Sequence, residues 1–184
     1  SLVVIDMPYK TYSNKFIAYE NAKKIIRLTK CDAVKLEGGK KIVNIIKYLI
    51  KKEIPVMGHV GLLPQSSTNF KLKGKSFIQK KRILEDAMAL SNAGVFAIVI
   101  ECVVESLAKK ITNKISVPTI GIGASKYCDG QVLVIDDMIG LSGSVPRFVK
   151  QYSKVSKIIE KSVKSYCGDV KHRRFPSSQN VYKF

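Results

Sequence analysis

The chain predicts an α/β fold organised round an all-parallel β-sheet, and two observations lead there. Short apolar runs alternate with segments of helical periodicity, mostly through short connections, the pattern of repeated βα units. In addition, nearly every apolar run stops on an ionisable residue or pair: Asp6, Lys35/Glu37, His59, Glu101 and Asp136/Asp137. Those positions are the carboxyl ends of the predicted strands. That is where parallel sheets collect their ligands, whether they close as barrels or stay open and doubly wound.

The first run, Leu2 to Ile5, ends at Asp6-Met7-Pro8. Pro8 bars a central strand from continuing, which leaves Asp6 at its end. Ser13 or Asn14 caps the helix that follows, with Ala18, Ala22, Ile25, Ile26 and Thr29 on one face. The second run is Ala33-Val34-Lys35-Leu36-Glu37-Gly38-Gly39. Side chains two apart on a strand share a face, so Lys35 and Glu37 project side by side just before a Gly-Gly turn. Buried parallel strands usually read as uninterrupted Val, Ile and Leu. A charged pair there is costly unless the charges meet each other, a metal or a ligand. The next helix is the clearest in the chain. Ile42, Ile45, Ile46, Leu49 and Ile50 form its apolar stripe, and Lys40, Lys41, Asn44, Lys47, Lys51 and Lys52 point away.

A third strand is expected over Ile54–Met57, with Pro55 near its beginning, running into Gly58-His59-Val60-Gly61-Leu62-Leu63-Pro64-Gln65. A polar loop, 66–75, leads to a helix with Ile83, Leu84, Ala87 and Met88 inward. A fourth strand, Phe96–Ile100, ends at Glu101-Cys102, and Leu107, Ala108 and Ile111 mark another helix. The fifth strand spans Pro118–Ile122 and the sixth Val132–Ile135, joined by a link too short for an ordinary crossover helix. From Pro146 a last amphipathic helix is expected to carry Val149, Tyr152, Val155, Ile159 and Val163. A chain of 184 residues suits one domain, 1–184, with 146–184 as a C-terminal helix and tail.

Composition narrows the function classes. No apolar run approaches the roughly 18–20 residues that span a bilayer. The start, Ser1-Leu2-Val3-Val4-Ile5-Asp6, has no signal-peptide architecture, so a cytoplasmic protein without a membrane partner is expected. The four cysteines are widely spaced and there are two histidines, which argues against a structural zinc site and gives no disulfide framework. The formal charge of +18 raises nucleic acid as a partner. The lysines, however, are scattered over the polar faces of the helical segments, and no nucleic-acid motif accompanies them. The expectation is therefore no nucleic acid. Gly38-Gly39 reads as a tight turn, and Asp136 and Asp137 as caps of the next turn without a catalytic role.

The run from Gly58 to Gln65 resembles the ketopantoate hydroxymethyltransferase family. The same family's pattern appears in Asp6-Met7-Pro8, in Val34 to Gly39 and in Ile100-Glu101-Cys102-Val103. It continues through Thr119-Ile120-Gly121-Ile122-Gly123-Ala124, Cys128 to Val134 and Pro146-Arg147-Phe148, collinear over nearly the whole chain. The resemblance implies a (β/α)8 barrel of the TIM type that binds magnesium and a branched 2-oxo acid. It also implies transfer of a one-carbon unit from 5,10-methylenetetrahydrofolate to 3-methyl-2-oxobutanoate, giving 2-dehydropantoate through a magnesium-stabilised enolate. On the matching positions, Asp6 is a metal ligand that also meets the substrate, and Glu37 is the carboxylate near the metal and its waters. Lys35 binds the oxo acid, His59 lies close to it, and Glu101 is the general base. A homo-oligomer is implied too.

Against the family's pattern, the chain starts at the third barrel strand. Six strands are therefore expected, without the first two, a second metal-ligand aspartate and the serine that holds the oxo acid. The 66–75 loop lacks the family's glycine-rich segment, and Val104 and Ser125 stand where the family usually has Pro and Gly. The alternative reading is an inactive truncated remnant, acting at most as a structural or interaction protein.

Overall fold

The computed structural model describes residues 1–68 and 70–183, so Asn69 of the expected 66–75 loop and the terminal Phe184 lie outside the described residues. The chain divides into two compact units, Ser1–Val132 and Leu133–Phe184.

The first unit is built on six strands: β1 Val4–Asp6, β2 Ala33–Glu37, β3 Val56–Gly61, β4 Ala97–Glu101, β5 Thr119–Ile122 and β6 Gly130–Gln131. They lie in the order β1-β2-β3-β4-β5-β6, and every neighbouring pair is parallel. A doubly wound sheet reverses its strand order at a switch point. No reversal occurs here, and the sheet is therefore of the (β/α) barrel type, with six strands as expected. Among the described residues β1 pairs only with β2 and β6 only with β5, which leaves two open edges.

Helices α1 Lys15–Thr29, α2 Val43–Lys51, α3 Phe77–Ala93 and α4 Glu105–Thr112 connect the first five strands. Asn14 begins α1: its side-chain oxygen accepts from the N–H groups of Phe16 and Ile17 at 2.9 and 3.0 Å, two donors the first turn would otherwise leave open. Ser76 does the same for α3 through Gln79 N–H, and Gly94 ends it with φ +95°. The core forms where helix stripes meet strand faces. Ala18 and Ala22, Ile46 and Leu49, Ala87 and Leu90, and Leu107, Ala108 and Ile111 pack with Val34, Leu36, Val56, Val60, Ile98 and Ile100. Of the expected inward residues, Thr29 is exposed and Met88 half-buried.

Three boundaries differ from expectation. Strand β3 runs on to Gly61, because β2 supplies ladder partners as far as His59, opposite Glu37, and β4 as far as Gly61, opposite Glu101. His59 therefore stands in the sheet and not in a loop after it. The sixth strand is Gly130–Gln131 instead of Val132–Ile135. The Asp129 carboxylate holds the N–H and hydroxyl of Thr119 at 2.8 and 2.9 Å, and Gln131 donates its amide to the Ser125 carbonyl at 2.8 Å. These bonds cinch the helix-free loop so that pairing comes early.

In the second unit, Ile135–Met138 is a short helix, α5, with Asp136 and Asp137 in its first turn. Carboxylates suit that end of a helix. The last helix, α6, spans Val155–Lys171 and not the residues from Pro146. Ahead of it, the Tyr152 N–H is committed to the Met138 carbonyl at 2.8 Å, which leaves Val149 and Tyr152 outside the helix.

Candidate active site

The ionisable residues that end the apolar runs come together. Asp6 closes β1, Lys35 and Glu37 lie on β2, His59 on β3, and Glu101 closes β4. Register places them at the same end of the sheet, Asp6 beside Lys35, Glu37 beside His59 and Gly61 beside Glu101. Side chains two apart share a face, and the polar groups link into one line. Lys35 Nζ is 3.1 Å from Asp6 Oδ2 and 3.2 Å from His59 Nδ1. On the other side of the ring, His59 Nε2 is 3.3 Å from Glu101 Oε2. Glu37 flanks the line, with Oε1 3.9 Å from His59 Nδ1 and Oε2 accepting from the Gln65 backbone N–H at 3.1 Å.

His59 is 1% exposed and Glu37 8%, whereas the Asp6 side chain is half exposed. Burial pushes the Glu37 carboxyl above its ordinary value, and the neighbouring His59, the Gln65 N–H and the Lys35 ammonium offset only part of that. Tyr12, also buried, donates its hydroxyl to the Glu37 carbonyl oxygen at 3.4 Å. Its own phenol is pushed up by burial and by the Glu37 and Asp6 carboxylates. Burial and the neighbouring Glu101 likewise push the Cys102 thiol up, partly offset by Lys73.

Among the described residues no group of three or more His, Cys, Asp or Glu could hold a metal ion as a protein cage. Magnesium does not need one. It commonly takes one or two carboxylates and completes its octahedron with waters and substrate oxygens. Asp6 suits that role, as a half-exposed carboxylate at the rim of the line. Glu37 suits a place behind it, since its oxygens are already engaged by Gln65 and lie near His59.

Two residues of this site carry no assignment from sequence reasoning. Gln65 stands inside the recognised run yet acts through its backbone N–H, for which no side-chain signature exists. Tyr12 is an aromatic ahead of a helix cap, with no periodicity to single it out. A cavity of about 270 Å³, bounded by Gly38, Gly61, Leu63, Lys73, Arg82 and Asp86, is lined by none of the residues of the line. Asp136 and Asp137, in the second unit, belong to α5.

Comparison with known proteins places the chain. The model of the family described as ketopantoate hydroxymethyltransferase matches residues 1–178. The 3-methyl-2-oxobutanoate hydroxymethyltransferase of Pelagibacter ubique is 58% identical over 182 residues, covering 99% of this chain and 71% of that protein. The protein of the same name from Bartonella tribocorum is 49% identical over 187 residues, covering 100% of this chain and 69% of that one. Among solved structures, a putative lyase/mutase from Burkholderia cenocepacia matches with a TM-score of 0.48 at 10% identity, over 99% of this chain and 66% of that one. By the family model and these relatives, which are transferases by name, the chain belongs to the ketopantoate hydroxymethyltransferase family.

Proposed function

We propose that the chain carries the proton-abstracting half of a hydroxymethyl transfer, from 5,10-methylenetetrahydrofolate to 3-methyl-2-oxobutanoate, giving 2-dehydropantoate for pantothenate biosynthesis. The observation that carries this reading is the buried line Lys35–His59–Glu101, with a cation at one end and a carboxylate at the other. A 2-oxo acid loses a proton from the carbon beside its carbonyl only if a base meets that proton and positive charge meets the oxygen. Glu101 is the base, partly exposed at the end of β4 where a substrate can reach it. Lys35 supplies the fixed positive charge toward the carboxylate and carbonyl of the oxo acid, and Asp6 orients its ammonium. Glu37 holds its place through Gln65 and keeps the polar wall behind Asp6. When magnesium is bound it supplies Lewis-acid polarisation at Asp6, with Glu37 behind it. The reading includes a homo-oligomer working in the cytoplasm.

The test is exchange of that proton in deuterated buffer with magnesium, followed by NMR on 3-methyl-2-oxobutanoate. The wild type should exchange it, and Glu101→Gln should abolish the exchange. Undiminished exchange in Glu101→Gln removes Glu101 as the base. A wild type that neither exchanges the proton nor binds the oxo acid by calorimetry supports the inactive remnant instead.

A further inference from the structure

His59 is more closely specified by its neighbours than its proximity to the site requires. Lys35 Nζ approaches Nδ1 at 3.2 Å, and an ammonium has donors only. The contact is favourable only if Nδ1 offers its lone pair. Asp6 fixes the other side of the ammonium at 3.1 Å, so the cation is held where it is. Glu37 Oε1, at 3.9 Å, is beyond hydrogen-bonding reach of Nδ1 and does not compete for it. The ring's single proton is thereby sent to Nε2, the nitrogen that faces β4.

Nε2 is buried without a hydrogen-bond partner, yet Glu101 Oε2 stands 3.3 Å away. That approach lies off the N–H direction. Catalytic contacts are often loose before the substrate arrives and tighten when it does. A buried donor left unmet is costly, and the Glu101 carboxylate 3.3 Å away is its natural acceptor.

We propose that Lys35 sets the orientation of the His59 ring, lone pair on Nδ1 and proton on Nε2, and that His59 is thereby a positioning residue whose N–H aims the Glu101 carboxylate. This rests on the reading of Glu101 as the base. Asp6, Lys35, His59 and Glu101 then form a polarised series across four adjacent strands, in which each member fixes the orientation of the next. The proton on Nε2 stays on the ring; it leaves one oxygen of Glu101 occupied and the other directed at the substrate carbon.

The experiment uses the full chain with nitrogen-15 histidine at neutral pH and no substrate. Long-range proton–nitrogen correlation reports the tautomer of each ring directly. The chain has two histidines, and His172→Gln assigns the spectrum. His59 should show a protonated Nε2 and an unprotonated Nδ1. An Nδ1–H tautomer or an imidazolium overturns the proposal. In Lys35→Met the preference should collapse into a mixture of both tautomers, and an unchanged spectrum there refutes the role given to Lys35.

Kinetics supply the second arm. His59→Gln sets an amide N–H near the place of Nε2, whereas His59→Asn sets one near Nδ1. Turnover in the proton-exchange assay should fall within about 10-fold for Gln and about 100- to 1,000-fold for Asn, with KM little changed in both. The reverse order overturns the proposal. Should the wild type show the Nε2–H spectrum but no exchange, the transferase reading falls and the tautomer assignment stands.

Discussion

At Glu37 burial is opposed by the neighbouring His59 and by the Gln65 N–H, and burial wins. A carboxyl whose value is raised by folding binds more protons in the native state than in the unfolded chain. Its contribution is therefore fully present below the ordinary carboxylate range and is lost as pH rises through the raised value. Glu37→Gln removes that loss while keeping an acceptor for the Gln65 N–H at 3.1 Å. Urea melts across pH should show the variant more stable than wild type at neutral pH, the gain shrinking to nothing in acid. A gain that grows in acid would contradict the assignment. Asp129 has the opposite sign. Its carboxyl is held below the usual range by the N–H and hydroxyl of Thr119, so its stabilisation is present above the ordinary carboxylate value and fades as pH falls through the lowered one. Asp129→Asn should cost about 1 kcal/mol at neutral pH, since an exposed group keeps only a fraction of a charged hydrogen bond.

Among the elements, the end of β3 is the most constrained. Gly61 has φ +97°, and a Cβ there would lie 2.3 Å from the Glu101 carbonyl oxygen. That carbonyl accepts from the Leu62 N–H at 2.8 Å, so the turn after β3 and the base on β4 share one piece of backbone. Gly61→Ala combines a strained φ with a backbone clash and should destabilise by more than about 2 kcal/mol. Thermal melts check the stability. Where the variant still folds, proton exchange should fall as well.

The elements also show how much was legible beforehand. Strands β1 to β5 announce themselves because β-branched runs between helical stripes leave few alternatives, and the five ionisable residues stand out against apolar neighbours. The extent of β3 was not legible, since the apolar run stops at Met57 and only ladder partners on both sides carry the strand through Gly58-His59. Val132 to Ile135 has a strand's composition, but the bonds of Asp129 and Gln131 decide where pairing occurs, and those depend on residues brought together by the fold. Tyr12 and Gln65 escaped for a related reason: in each bond with Glu37 one partner is a main-chain group, the Glu37 carbonyl for Tyr12 and the Gln65 N–H itself, which any residue type possesses.

For the molecule as a whole, the excess of 32 basic over 14 acidic residues sets the behaviour in solution. Surface ion pairs are few among the described residues, and Lys40–Glu85, Arg174–Asp169 and Lys164–Glu160 are all at least partly exposed. Self-repulsion among the unpaired cations opposes compactness and is screened by salt over about 8–10 Å at physiological strength. The melting temperature should therefore rise as sodium chloride is added from low to physiological concentration. A flat or falling response would show that the cations are already compensated. By filter binding, any association with nucleic acid at low salt should vanish at that same concentration.

The Asp6–Lys35–His59–Glu101 series takes one member from each of four neighbouring strands. Its spacings are thus the spacings of the sheet, and the chemistry inherits the stiffness of the main-chain ladder. A one-residue slip of β2 would turn both Lys35 and Glu37 to the opposite face. Mild loosening of the strands should accordingly silence proton exchange before helix content declines, which makes the reaction an early gauge of sheet integrity.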